Sequence, residues 1–239
     1  MKYIYGPIKS RRLGLSLGVS LTPYKICDFD CIYCQLGRAN VISSERKEYV
    51  NKAQVLDELR VWLQSNPEEA KSLEFITFSG AGEPTLNTKI GEIIDEIKRT
   101  LPYRVCVITN ASLLGDKEVR NSLLNADLIV PSLDAVSSEA FKRIDRPTQG
   151  IEIENIIDGL INLRKEFRGK IWLEIMLVRG VNDDLRHIKK MKEVIDRINP
   201  DKIQLNSPVR STAENHVLSV GKYKLIKIKK IFGDKCEVI

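Results

Sequence analysis

Short apolar runs rich in β-branched residues alternate with helical stripes along the whole chain, and this alternation narrows the fold more than any other feature. The strand candidates are Leu15–Leu21, Leu73–Ser79, Arg104–Thr109, Leu128–Leu133, Ile171–Val178 and Lys202–Leu205. Most are nearly continuous apolar runs, as expected of parallel strands covered on both faces. Between them, Val55, Leu56, Leu59, Trp62 and Leu63 share one helical face, with Pro67 after it. Ile90, Ile93, Ile94 and Ile97 form a second stripe, stopped before Pro102. Ile156, Ile157, Leu160, Leu163 and Phe167 form a third, with Gly169 as its stop. Leu185, Ile188, Met191, Ile195 and Ile198 form a fourth, stopped before Pro200. Shorter helices are expected over Asp116–Leu124 and Ser137–Ile144, and a last one over about Ser219–Phe232. Repeated βαβ units with right-handed crossovers leave an open doubly wound sheet or a barrel. Six units are too few for a complete eight-fold barrel, and in either layout the chemistry sits at the C-terminal ends of the strands. No linker, repeat or low-complexity segment divides the sequence, so residues 1–239 are read as one domain.

Composition excludes several classes. The chain has 239 residues, 43% hydrophobic and 29% charged, which suits a globular protein and argues against wholesale disorder. No uncharged apolar run approaches the ~18 residues of a membrane span. The basic opening MKYIYGPIKSRR has no apolar segment after it and is not a secretory signal, so a cytoplasmic protein is expected. Lys plus Arg number 38 against 32 Asp plus Glu, a net charge of +6 that leans toward a polyanionic partner. The composition does not specify an oligomeric state.

Five cysteines are present, and Cys27, Cys31 and Cys34 crowd into a C-x3-C-x2-C segment directly after the first strand and its exit. An odd number in a chain of this size does not suit a disulfide framework. A structural zinc needs four ligands. The fourth would have to be Cys106, which is flanked by Val105 and Val107 like a small core residue, or Cys236, His187 or His216, which lie far away along the chain. Cysteine thiolates also hold [4Fe–4S] clusters, normally four of them. With three, one iron stays open to a small molecule. Three unrelated free thiols in eight residues are improbable in so Cys-poor a chain.

With Tyr33 just before the third cysteine, this segment resembles the signature of the radical S-adenosylmethionine superfamily. The resemblance implies a partial (β/α)6 TIM-like barrel, with Cys27, Cys31 and Cys34 each on one iron of a single [4Fe–4S] cluster. It also implies S-adenosylmethionine chelating the fourth iron. Reductive cleavage would then give methionine and a 5′-deoxyadenosyl radical. Gly80-Ala81-Gly82-Glu83-Pro84, closing the second strand, resembles the superfamily's "GGEP" motif, which binds the cosubstrate's ammonium group; read alone it is a Gly-rich turn with an acceptor at Glu83. Asn110, Ser132 and Asn206, at the ends of the third, fourth and sixth strands, are candidate S-adenosylmethionine contacts along with Tyr33. Asp134 could touch either ligand or substrate, and Asn, Ser and Asp also cap helices and turns. On the fifth strand, Glu174 and Met176 alternate with Leu173 and Ile175, and one set must face the barrel interior.

The opening Tyr5-Gly6-Pro7-Ile8-Lys9-Ser10-Arg11-Arg12-Leu13-Gly14 is read either as an arm over the surface or as an anion site built on its paired arginines. It resembles a "YGPxxSRRLG" branch of the superfamily, loosely grouped with wybutosine-type tRNA-modifying enzymes. Arg143 and Arg146 also fit that branch; either could reach the substrate mouth or form a plain surface salt bridge. Lys222, Lys224, Lys227, Lys229 and Lys230 on the last helix are either a solvated face or an RNA contact. Hence a tRNA base is the first substrate expected. A protein activated as a glycyl radical enzyme comes second and a small metabolite third; a non-catalytic iron–sulfur sensor belongs to another class. Cys106 and Cys236 cannot hold a second cubane by themselves, so no auxiliary cluster is expected. The electron is expected from an external flavodoxin or ferredoxin, because the chain carries no flavodoxin-like domain.

Overall fold

The computed structural model describes residues 1–10 and 12–239; Arg11, half of the expected arginine pair, lies outside the described residues. In chain order the elements are β1 (Ile4–Ser10), β2 (Gly14–Val19), β3 (Ile26–Cys27), β4 (Val41–Ile42), α1 (Lys52–Ser65), α2 (Pro67–Lys71) and β5 (Phe75–Phe78). They continue with α3 (Ile90–Thr100), β6 (Arg104–Thr109), α4 (Lys117–Leu123), β7 (Leu128–Pro131), α5 (Ser138–Ile144), α6 (Ile153–Glu166) and β8 (Lys170–Met176). The last are α7 (Leu185–Ile198), β9 (Lys202–Asn206), α8 (Lys222–Phe232) and β10 (Cys236–Val238). One eight-stranded sheet runs in the order β1-β2-β5-β6-β7-β8-β9-β10. All neighbours in it are parallel except β1, which pairs antiparallel with β2. The six expected strands are thus the successive parallel strands β2 and β5 to β9 of a partial barrel.

Side-chain alternation sets the layers. On one face of the strands Ile76, Val105, Val107, Ile129, Ile171, Leu173 and Ile175 are fully buried and join the main core with the helices. The isoleucines of α3, Ile90, Ile93, Ile94 and Ile97, have no exposure at all. Each such side chain contributes about 1.5–3 kcal/mol by leaving water. On the opposite face Phe75, Cys106, Leu128 and Val130 form a second, smaller cluster with Leu13, backed by Ile108 and Trp172. This is the barrel interior, apolar at the end where the strands begin. Toward the other end it turns polar: Ser16 and Thr77 share a 2.6 Å hydrogen bond, and Arg12 meets Glu174. Of the alternatives on β8, therefore, Glu174 and Met176 face inward. Helix starts follow side-chain capping, with Asn51, Asp116, Ser137 and Asp184 accepting from backbone N–H groups of α1, α4, α5 and α7.

Three expectations need correction. The opening segment is not an arm over the surface: β1 pairs with β2 from Ile4↔Val19 to Ser10↔Gly14, across a bulge between Tyr5 and Ile8. A short parallel strand, β10, extends the sheet beyond β9. The last helix begins at Lys222 rather than near Ser219, because Ser219 bridges Val178 and its hydroxyl donates to the Pro208 carbonyl. Among the described residues no helix is long and apolar enough to cross a membrane.

Candidate iron–sulfur and cosubstrate site

The segment after β2 carries Cys27, Cys31 and Cys34, all free and all partly exposed. Several ties hold it at the strand ends. The short β3 pairs with β4, and Ser43 N–H donates to the Cys27 carbonyl at 3.0 Å. The Asp30 and Ile32 N–H groups donate to the Asp145 and Ile144 carbonyls at the end of α5. Both N–H and Oγ1 of Thr148 donate to the Asp28 carbonyl at 2.8 Å. Burial pushes the Cys27 and Cys31 thiols up, and neighbouring carboxylates and the other cysteines add to the shift. Among the described residues, no three His, Cys, Asp or Glu side chains converge on one point fit for a single ion. Three free thiols spread along one tethered loop suit one thiolate per iron, and the donor set fits a cluster.

The loop after β5 packs directly beneath. A Cβ on Gly82 would lie 1.7 Å from the Ile26 carbonyl oxygen, so only glycine lets this loop reach the cysteine segment. Gly80 has φ +114° and sits against the Tyr5 ring, whose hydroxyl shares a 2.5 Å hydrogen bond with Ser79. Glu83 is buried. Its Oε1 accepts from Thr85 N–H (3.0 Å), Thr85 Oγ1 (2.6 Å) and Thr109 Oγ1 (2.7 Å), and its Oε2 accepts from Asn110 N–H (2.8 Å). Its acceptors are spent mainly on joining the β5 and β6 loops. Burial, and then the charge of Asp28, push its carboxyl up to about 7.

Asn110 donates through Nδ2 to Asp28 at 2.6 Å, and its Oδ1 accepts from Ser112 N–H. Ser112 Oγ also donates to Asp28, at 2.5 Å. Asp134 accepts from the Tyr33 hydroxyl and, at 2.7 Å, from Met176 N–H. Nearby, Asp145 accepts from the Cys31 thiol at 3.5 Å. Burial pushes Asp134 up to about 7 and Asp145 well above the usual carboxylate range; two neighbouring carboxyls cannot both ionise cheaply. Ser132 lies half-buried, its N–H donating to the Thr109 carbonyl at 3.0 Å.

Asn206 belongs to the opposite side of the mouth. Its Nδ2 donates to Glu174 at 2.8 Å, and with Tyr33, Gln35, Met176 and Arg12 it borders a cavity of about 220 Å³. The cavity touches the cysteine loop at Tyr33 and Gln35. Arg143 and Arg146 are not on it: Arg143 donates to the Gly180 carbonyl and Arg146 pairs with Glu214 at 2.6 Å.

A family model described as the radical SAM superfamily matches residues 21–191, a span that holds all three cysteines, the Gly80–Pro84 turn, Asn110 and Ser132. A UPF0026 protein of Methanocaldococcus jannaschii is 32% identical over 236 residues, 98% of this chain and 72% of that protein. The chain belongs to the radical SAM superfamily, among its UPF0026 proteins. A Brachyspira hyodysenteriae protein named GTPase Obg is 38% identical over 237 residues, 99% of this chain; the chain spans only 34% of its length and contains no G-x-x-x-x-G-K-[ST] phosphate loop. A Nautilia profundicola dual-specificity RNA methyltransferase is 25% identical over 193 residues, 76% of this chain and 53% of its own. Among solved structures, a radical SAM methyltransferase from Sphaerobacter thermophilus superposes with a TM-score of 0.70 at 15% identity, covering 94% of this chain and 65% of its own. Archaeal TYW1 gives 0.64 at 19% identity, covering 92% and 72%. These likenesses establish the radical SAM barrel fold. The superfamily uses S-adenosylmethionine and a [4Fe–4S] cluster. Sequence reasoning missed Asp28, Asp145 and Thr148 around the cysteines; their partners lie 82 to 120 residues away, and no local pattern marks them.

Proposed function

We propose that this chain is a radical S-adenosylmethionine enzyme that takes a hydrogen atom from an RNA base, with tRNA as its first candidate substrate. The observation that carries the reading is the tethered loop of three free thiols at the strand ends, beside a cavity that opens at the same mouth. Bound together, a [4Fe–4S] cluster and S-adenosylmethionine supply reductive cleavage of the sulfonium to methionine and a hydrogen-abstracting 5′-deoxyadenosyl radical. Cys27, Cys31 and Cys34 hold three irons. The backbone of Gly80 and Ala81, with Tyr33, Asn110 and Ser132, borders the place for the cosubstrate, and Asn206 faces it from across the mouth. Glu83 and Asp28 hold that surface in shape through the bonds described above. The single electron per cleavage comes from an external flavodoxin or ferredoxin.

The RNA substrate is supported by the +6 charge, by the opening resembling wybutosine-type enzymes, and by the relative named as an RNA methyltransferase. Two measurements test the reading. Anaerobic protein with dithionite and S-adenosylmethionine should release 5′-deoxyadenosine; no release would leave only a sensor. Mass spectrometry of tRNA nucleosides from cells with and without the gene should show one modified nucleoside lost. Unchanged nucleosides would move the substrate to a protein or a small metabolite.

A further inference from the structure

The cavity beside the cysteine loop has an unusual charge. Among the described residues, three cationic side chains border it, Lys9 from β1, Arg12 from the β1–β2 turn and Arg210 from the segment after β9. Among the described residues Glu174 is the one carboxylate side chain lining it, and Arg12 and Asn206 already engage it, at 2.5 and 2.8 Å. The lining side chains thus carry more positive than negative charge, and Ile239 borders the cavity as well. A guanidinium offers five N–H donors. Arg12 directs one to Glu174 and Arg210 one to Gln35 at 3.1 Å, so both retain donors. Ser10, Ser207 and Thr212 also line it, with the Ser207 and Thr212 hydroxyls donated to the Leu177 and Glu214 carbonyls. Lys9, Arg12 and Arg210 all fall outside residues 21–191, the part matched by the superfamily model.

We infer that this cavity binds phosphate of the substrate, either one phosphomonoester dianion or two successive phosphodiesters of an RNA strand, while the base faces the cysteine side of the mouth. Charge and donors together decide the class: a surplus of cationic side chains with several free N–H donors suits oxyanions, and guanidinium forks fit phosphate. The inference rests on the radical-enzyme reading for its orientation, but the binding itself does not.

The test uses cluster-reconstituted protein, with uridine 5′-monophosphate and a short single-stranded RNA without terminal phosphate as probes. Both should bind. K9Q and R210Q replace exposed residues and should keep the fold; each should weaken binding about tenfold, as expected for one charge-assisted contact. The slope of log affinity against log salt for the RNA should shrink by about 0.7 for each contact removed. R12Q should weaken binding further, with a melting curve as a check on its folding. Binding of the mononucleotide alone, lost in the variants, keeps the phosphate cavity and removes RNA as the substrate. Modified nucleosides that depend on the gene but are unaffected by K9Q and R210Q would keep the proposed function and overturn the cavity. RNA binding lost in K227Q/K230Q on α8, but not in the cavity variants, would overturn it too. So would displacement of the mononucleotide by S-adenosylmethionine, because the cations would then serve the cosubstrate's carboxylate.

Discussion

On the cysteine side of the barrel mouth, Asp28, Glu83, Asp134 and Asp145 are buried, and their oxygens are taken up by neighbouring protein groups. Across the mouth, Lys9, Arg12 and Arg210 border a cavity with donors to spare. The first side is a closed hydrogen-bond network that fixes loops in place, as fully satisfied buried networks do. The second has a surplus of charge and is shaped to receive a ligand. Substitutions on the two sides should therefore fail differently: on the first, by losing cluster or fold, and on the second, by losing affinity alone.

The largest expected effect is loss of the cluster. Cys27→Ala, Cys31→Ala and Cys34→Ala should each abolish cluster assembly, read as iron content and visible absorbance of the reconstituted protein. Cys106→Ser and Cys236→Ser should leave iron content unchanged, since Cys106 is sealed inside the barrel and Cys236 is buried on β10. A cubane spectrum surviving in any of the first three would refute the ligand set.

Next comes a pH effect on the cluster-free protein. Glu83 and Asp134 are pushed up to about 7, and Asp28 and Asp145 are raised as well. Unfolded carboxyls ionise near pH 4. Between that value and about 7 the folded chain holds more protons than the unfolded one, so stability must fall as pH rises through this window. The expected loss from pH 5 to 7.5 is on the order of a few kcal/mol. Thermal melts across that range check it, and Glu83→Gln should flatten the curve; stability that rises with pH would contradict the burial argument.

The same contrast explains what was legible in the sequence. The strands β2 and β5 to β9 were legible because apolar runs and helical stripes are local patterns. The pairing of β1 was hidden by Gly6-Pro7 and by the polar run from Lys9 to Arg12, which read as an arm. The strand β10 has only three residues, too few for any period to show. The cysteines stood out by their spacing, and the family resemblance made them candidate iron ligands. Glu83 was legible as an acceptor, but not its donors, because Thr109 and Asn110 come from the next strand end. The cavity was half legible: the arginine pair suggested an anion, whereas Arg210 and Glu174 join it only through the folded sheet.

A smaller effect should follow Gly82→Ala. The added methyl would press on the Ile26 carbonyl, one residue before Cys27, and backbone there must move. Overpacking of this kind costs about 1–3 kcal/mol. A lowered melting temperature with reduced iron occupancy is expected, and an unchanged protein would mean the two loops are not locked together.

The smallest effect has the most diagnostic sign. Glu174→Gln removes that carboxylate side chain, making the cavity more positive by one charge and releasing the Arg12 donor now directed to Glu174. Arg12 is one-quarter exposed, so water can solvate the freed guanidinium and the stability cost should stay near 1 kcal/mol. Affinity for uridine 5′-monophosphate should rise a few-fold, opposite in direction to R12Q, K9Q and R210Q. If Glu174 instead accepted a hydrogen bond from the ligand, as a carboxylate facing a sugar hydroxyl would, the same substitution would weaken binding. The sign of that change separates a carboxylate that holds Arg12 in place from one that reads the substrate.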